Sequence, residues 1–181
     1  MSIVGFRARN HPQQRKARGS LVSIDDRATS PELFEELNQR FGFTIDVAAS
    51  ATNAKCARYF TIEQNGLEQT WSGERVWCNP PYSDIEPWIR KAWRASRWTE
   101  LIVMLVPANR TEQGWWQRLV EPARLEGTLG VEFLAGRPRF VAPDDFVDMF
   151  GRPRGGEIRP PFGCCLLIWS RQPARGVDTR S

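Results

Sequence analysis

Residues 76–83 read Val76-Trp77-Cys78-Asn79-Pro80-Pro81-Tyr82-Ser83. Val76 to Cys78 is an apolar run that reads as a buried strand. The strand stops at Asn79, because two prolines bar both helix and sheet from continuing. A residue before a proline is pushed towards extended geometry, which applies to Asn79 and again to Pro80. Prolines bring no N–H, so this corner offers acceptors, the Asn79 side-chain oxygen and the Pro80 carbonyl. Tyr82 adds a flat amphipathic ring beside them. A rigid corner with two converging acceptors and a ring suits a planar group that bears an NH2.

Upstream, Thr29-Ser30-Pro31-Glu32 marks a helix start. Ser30 is a good N-cap, Pro31 suits the first helical position, and Glu32 favours the positive end of the dipole. Leu33, Phe34, Leu37 and Phe41 share a helical face, and Gly42 can end the helix. Phe43 to Ser50 reads as a short strand running into a loop of small residues, with Asp46 at the strand's end. Ala54 to Thr61 reads as a further strand and Asn65-Gly66-Leu67 as a turn. Little chain separates Asp46 from Asn79 for a β-α-β-α-β path, so the helix between them is expected to be missing or very short.

Downstream, Ile85 to Arg97 reads as a helix starting near Pro87, with Trp88, Ala92 and Ala95 inward and Arg90, Lys91, Arg94 and Arg97 outward. Leu101–Val106 is a continuous apolar run ending at Pro107, as for a strand buried on both faces. Thr111 to Leu119 reads as a helix carrying Trp115 and Trp116, and Val131–Leu134 as a strand. Residues 142–160 are rich in Pro, Gly, Asp and Arg and read as a long loop. Phe162 to Trp169 is the last buried strand. Strands alternating with helices predict an α/β fold with a largely parallel sheet. Ligands of such sheets sit beyond the carboxyl ends of the strands, where Asp46 and Asn79 both fall.

The chain has 181 residues and a net charge of +4, enough for one domain with a real core and a mild basic excess that permits nucleic-acid binding. Residues 1–19 hold Arg7, Arg9, Arg15, Lys16 and Arg18 with little apolar periodicity, so they read as a basic flexible arm ahead of a domain over 20–170, with 171–181 as a tail. The single histidine, His11, falls in that arm, which argues against histidine catalysis or a histidine-rich metal site. The cysteines Cys56, Cys78, Cys164 and Cys165 form no C-x-x-C pair and read as reduced thiols of a cytosolic protein. No apolar run approaches the ~20 residues of a membrane span, and no secretory signal is present.

The corner resembles the Asn/Asp-Pro-Pro-Tyr/Phe motif of amino-directed, S-adenosylmethionine-dependent methyltransferases. Thr29 to Phe34, Asp46 to Ser50, Ala54 to Thr61, Val76 to Ser83 and Val103 to Ala108 are similar, in order, to successive blocks of the phage-type DNA N6-adenine methyltransferase (Dam-like) family. The resemblance covers about residues 29–169. Three blocks depart from the pattern, one of them Asn65-Gly66-Leu67, which stands for an Asp-Gly-Leu-like block. Thr29-Ser30-Pro31 stands where the family has Thr-Pro-Pro, and Ala48-Ala49-Ser50 replaces the glycine-rich loop usual in methyltransferases. Glu63 is the candidate for an acidic contact to the cofactor's ribose.

The resemblance implies a Rossmann-like class I methyltransferase fold of reduced size, mostly parallel with an antiparallel last strand. It implies Asn79, Pro80, Pro81 and Tyr82 as catalytic residues. Thr29, Ser30, Pro31, Asp46, Ala48, Ala49 and Asn65 would bind S-adenosylmethionine, Asp46 either meeting the methionine ammonium or holding the loop. The substrate would be an adenine flipped out of double-stranded DNA, with Tyr82 stacking on it. Arg137, Arg139, Arg152, Arg154 and Arg159 are the candidates for DNA contact, from a recognition loop about 142–160 and the stretch just ahead of it, where Asp144, Asp145 and Asp148 must point away. Arg90, Lys91, Arg94 and Arg97 read either as phosphate contacts or as a solvated face. No metal is required. A phage or prophage protein acting in the bacterial cytoplasm is expected. Two other readings stay open, a methyltransferase of an RNA base or protein glutamine, and a DNA-binding protein on a degenerate scaffold.

Overall fold

The computed structural model describes residues 28–142 and 156–170. In chain order the elements are β1 (Ala28–Thr29), α1 (Pro31–Phe41), β2 (Ile45–Asp46), β3 (Arg75–Cys78), α2 (Glu86–Ala95), β4 (Leu101–Pro107), α3 (Gly114–Leu119), α4 (Glu121–Leu125), β5 (Gly130–Phe133), β6 (Phe140–Ala142), β7 (Gly156–Ile158) and β8 (Cys164–Ser170). The basic arm, the tail, and Arg152 and Arg154 lie outside the described residues.

Five strands form the central sheet in the order β2-β3-β4-β8-β5. β2, β3 and β4 run parallel, and β8 is antiparallel to both β4 and β5. β8 is therefore the one reversed strand of this sheet, as the sequence reading expects. Ala54 to Thr61 does not form a full strand. It touches the sheet edge through a single parallel bridge, Asp46 to Tyr59, closed by bonds from Asp46 N to Arg58 O and from Phe60 N to Asp46 O. Residues 47–74 contain turns and no helix, in line with the short spacing.

β4 shows why the core forms. Ile102, Met104 and Val106 face one layer with Ile89, Ala92, Trp115 and Trp116. Leu101, Val103 and Leu105 face the other, with Phe34, Leu37, Phe41 and Trp77. All seven β4 residues are buried, so alternation along one strand feeds two hydrophobic layers. α1 covers one face; α2, α3 and α4 cover the other.

α1 is built as its sequence predicts. Leu33 N–H donates to Ser30 Oγ at 3.4 Å, Pro31 opens the helix, and Gly42 closes it at φ 61°. α2 starts beside Pro87 as expected but ends two residues sooner, at Ala95, and Ile89 is buried while Trp88 and Ala95 are half-buried. α3 starts at Gly114, three residues later than expected, and α4 follows almost at once. Trp115 and Trp116 are core residues packed edge to face, their indole N–H groups donating to Gln113 Oε1 and Glu121 Oε2.

A second sheet, β1-β6-β7, is wholly antiparallel and was not foreseen. Thr29 pairs with Phe140, and Ser30 N–H donates to Arg139 O at 3.1 Å. The stretch 142–160 is thus not one long loop, because β7 returns to pair with β6.

Candidate active site

Parallel pairing sets the geometry of the site. Asp46 lies in register with Trp77, and Val47 N–H donates to Trp77 O at 3.1 Å. The two strands end side by side, β2 at Asp46 and β3 at Cys78, so the Ala48–Ala49 loop and Asn79 leave the sheet at the same end. Asp46, Ala48, Ala49 and the Asn79–Tyr82 corner therefore share one edge of the sheet.

Asp46 is 3% exposed. Its Oδ1 accepts from Ala48 N–H at 3.3 Å and its Oδ2 from Lys55 N–H at 3.1 Å. The carboxylate thus holds the loop that follows it. Burial raises its pKa to about 6, although the Lys55 and Ala48 amides and the Lys55 charge pull the other way. Lys55 is half-buried and its pKa is lowered, again chiefly by burial. Ala49 N–H donates to Phe60 O, and Ser50 N–H to Asn53 Oδ1 at 2.7 Å. The small-residue loop is thus stiffened by hydrogen bonds in the place of a glycine-rich loop.

The Asn65-Gly66-Leu67 block has a packing reason. Asn65 adopts φ 51°, and its Oδ1 accepts from Leu67 N–H at 3.3 Å, closing an Asx turn. Gly66 then lies against the Val47 main chain, and its carbonyl accepts the Trp71 indole N–H at 3.0 Å. The turn engages the Asn65 oxygen locally and sets the block beside the Asp46 loop.

At the corner, Asn79 is half-buried and its Oδ1 is shielded from solvent. Pro80 is buried, and Pro81 O accepts from Asp84 N–H at 3.2 Å. The half-buried Tyr82 ring meets Phe140 edge-on at 6.1 Å and Phe162 at 6.2 Å. Its hydroxyl lies 3.9 Å from Cys164 Sγ. Burial pushes the Tyr82 pKa well up, as it does the Cys164 thiol, to about 11. Both stay neutral at pH 7. Arg110 donates from Nη1 to Tyr82 O at 2.6 Å.

Thr29 and Ser30 are buried, and Thr29 Oγ1 has no hydrogen-bond partner among the described residues. Pro31 is exposed at the start of α1. Because Thr29 pairs with Phe140 and Phe140 meets Tyr82, the second sheet brings the first block against the corner. Arg137 and Arg139 are exposed just before β6, Arg137 at 3.5 Å from Pro160 O.

Two cations of α2 have other engagements. Arg90 pairs with Glu86 at 2.6 Å, while Lys91 donates to Gln69 O and lies 5.4 Å over the Trp71 ring. A cleft of about 450 Å³ opens on that side, lined by Leu67, Asp84, Glu86, Pro87, Arg90, Lys91 and Arg94, and Asn79–Tyr82 do not line it. All four cysteines are free thiols. Among the described residues no group of three His, Cys, Asp or Glu is placed to hold a metal, and no helix is long and apolar enough to cross a membrane.

Sequence reasoning missed Arg110, Phe140, Phe162 and Cys164 as neighbours of the corner. Arg110 carried a readable signal, a cation just past the carboxyl end of an apolar strand. The other three depend on pairing between segments far apart in the chain.

The family profile described as DNA N-6-adenine-methyltransferase (Dam) matches residues 20–145. A DNA N-6-adenine-methyltransferase of Escherichia phage T1 is 34% identical over 143 residues, covering 72% of this chain and 60% of the relative. One of Haemophilus phage HP1 is 32% identical over 100 residues, covering 54% and 57%. The chain spans less than two thirds of the length of these relatives. The crystal structure of a candidate RNA methyltransferase from Pyrococcus horikoshii superposes with a TM-score of 0.50 at 14% identity, over 85% of this chain and 90% of that one. That likeness is one of fold, the Rossmann-like methyltransferase fold.

Proposed function

Because the chain belongs to the DNA N-6-adenine-methyltransferase (Dam) family, we propose that it transfers a methyl group from S-adenosylmethionine to the N6 amino group of an adenine flipped out of double-stranded DNA. The observation that carries this reading is the placement of the Asn79-Pro80-Pro81-Tyr82 corner beside the Asp46 loop on parallel neighbouring strands. Phage relatives support an origin in a phage or prophage and a place of action in the bacterial cytoplasm.

The residues suit the methyl donor. A buried carboxylate whose pKa has risen to about 6 gains by facing a cation, and the donor's methionine end carries an ammonium. The buried Thr29 hydroxyl has hydrogen-bonding capacity to offer the same end. Asp46, Ala48, Ala49, Thr29, Ser30 and Pro31 are proposed to hold it, with Asn65 setting the neighbouring turn. Bound there, S-adenosylmethionine would supply an electrophilic methyl carbon on a sulfonium, whose C–S bond breaks to leave S-adenosylhomocysteine as product.

The N6 lone pair of adenine is delocalised into the ring, which makes it a poor nucleophile. Asn79 Oδ1 and the Pro80 carbonyl are proposed to accept both N–H bonds of the amino group. That grip favours a pyramidal nitrogen and restores the lone pair. Its benefit appears mainly in the transition state, as orientation and charge stabilisation. An amide cannot act as base, so the proton leaves to solvent after transfer, when the nitrogen has become acidic. Flipping the base costs a few kcal/mol, and stacking on Tyr82 returns ~1–3 kcal/mol. Exposed Arg137 and Arg139 are proposed to meet the DNA, with Arg152 and Arg154 from the same region.

The test is incubation with tritiated S-adenosylmethionine and unmethylated DNA, RNA or protein, followed by digestion to nucleosides. Label in N6-methyldeoxyadenosine is expected. Label in RNA or protein alone would sink the proposal.

A further inference from the structure

The loop leaving β4 carries a cation turned inward. Arg110, three residues beyond Pro107, is half-buried, and its Nη1 donates to the Tyr82 carbonyl at 2.6 Å. Its Nε is shielded from solvent and has no hydrogen-bond partner among the described residues. Solvation draws a long cationic side chain outward to water, and an unmet buried donor carries a desolvation cost. This guanidinium nonetheless points at the corner.

The corner has need of such a tie. The β3–β4 ladder ends at Cys78 opposite Met104, and Pro80 and Pro81 have no N–H with which to prolong it. The bond from Asp84 N–H to Pro81 O is local to the turn. Phe140, Phe162 and Cys164 confine the Tyr82 ring and its hydroxyl without holding its main chain. The Arg110 bond fastens that main chain to the end of the neighbouring strand.

We infer that Arg110 is a positioning residue, which fixes the Tyr82 backbone so that the ring is set to stack on the target base. The inference rests on the reading of the corner as an adenine site. Its consequence is that stacking and turnover respond to Arg110 while binding of the methyl donor does not.

The test begins by sequencing methylated adenines in host DNA after expression, which defines the recognised duplex. 2-Aminopurine then replaces the target adenine, since its fluorescence reports stacking. Arg110→Ala is expected to lower kcat about 30-fold and to brighten bound 2-aminopurine at least about twofold, with S-adenosylmethionine affinity within about threefold of wild type. Arg110→Lys, which keeps a cationic donor, is expected to recover at least about a third of the wild-type rate. Should the alanine variant fail to fold, Arg110→Gln gives the same two readouts. An active wild type whose alanine or glutamine variant matches it in rate and brightness overturns the inference alone. So does a lysine variant as slow as the alanine one with wild-type brightness. A wild type that methylates no DNA adenine overturns the underlying reading, and the inference with it.

Discussion

Gly66 lies so close to Val47 that a Cβ on it would sit 2.1 Å from the Val47 carbonyl oxygen. This contact seats the Asn65–Leu67 turn against the loop that leaves β2. Neither partner can yield easily, because Val47 is tied to Trp77 in the sheet and the Gly66 carbonyl holds the Trp71 indole. Gly66→Ala should lower stability by about 2–3 kcal/mol and the melting temperature by roughly 5–10 °C. Thermal unfolding followed by circular dichroism measures it; an unchanged midpoint would show that the turn is loosely seated.

Asn79 should separate chemistry from donor binding. Asn79→Ala removes one of the two proposed acceptors at the amino group and leaves the Asp46 loop as it is. Turnover is expected to fall at least about 100-fold. The dissociation constant for S-adenosylmethionine, read by calorimetry, should stay within about threefold. Loss of donor binding in this variant would move Asn79 out of the role given to it.

The donor contact proposed for Asp46 should depend on pH. Its pKa is raised to about 6 in the folded chain by burial, so below that pH it is protonated before the ammonium arrives. Binding then releases a proton, and affinity should fall up to about tenfold per pH unit below pH 6. Asp46→Asn should flatten that profile. The same shift has a second sign to check. A carboxyl whose folded pKa lies above its unfolded value of 3.8 contributes stability below pH 3.8 and loses it as pH rises through about 6. Relative to wild type, Asp46→Asn should therefore gain on the order of 2–3 kcal/mol between pH 4 and pH 7 in denaturant titrations.

The stacking role proposed for Tyr82 calls on its ring more than on its hydroxyl. Its only described hydroxyl contact is the Cys164 thiol at 3.9 Å, a weak pairing. Tyr82→Phe is expected to keep kcat/KM within about threefold, and Tyr82→Ala to lose roughly 10- to 100-fold through lost stacking. A phenylalanine variant as slow as the alanine one would assign the hydroxyl a chemical part.

Local signals in this chain were readable wherever they were self-contained. Ser30, Pro31 and Gly42 announce both ends of α1, and Leu101–Val106 announces a strand buried on two faces. Asp46 and Asn79 could be placed on one edge because parallel strands leave their ligands at the carboxyl ends. Pairings between distant segments left no such trace. β6 and β7 are three residues each, and their partners are each other and Ala28–Thr29, so Pro138 and the prolines and glycines after residue 142 read as loop. Tyr59 joins the sheet by one bridge, too little for a strand pattern. The Asn65 side chain closes its own turn, a local use that a resemblance cannot distinguish from contact with a ligand.

The second sheet has a consequence for how this scaffold can diversify. β1 and β6 are joined through main-chain hydrogen bonds, which any non-proline residue supplies. The strand that carries Phe140 can therefore change around that residue and stay docked beside Tyr82. The part proposed to meet the DNA is attached by the interaction least sensitive to its own side chains.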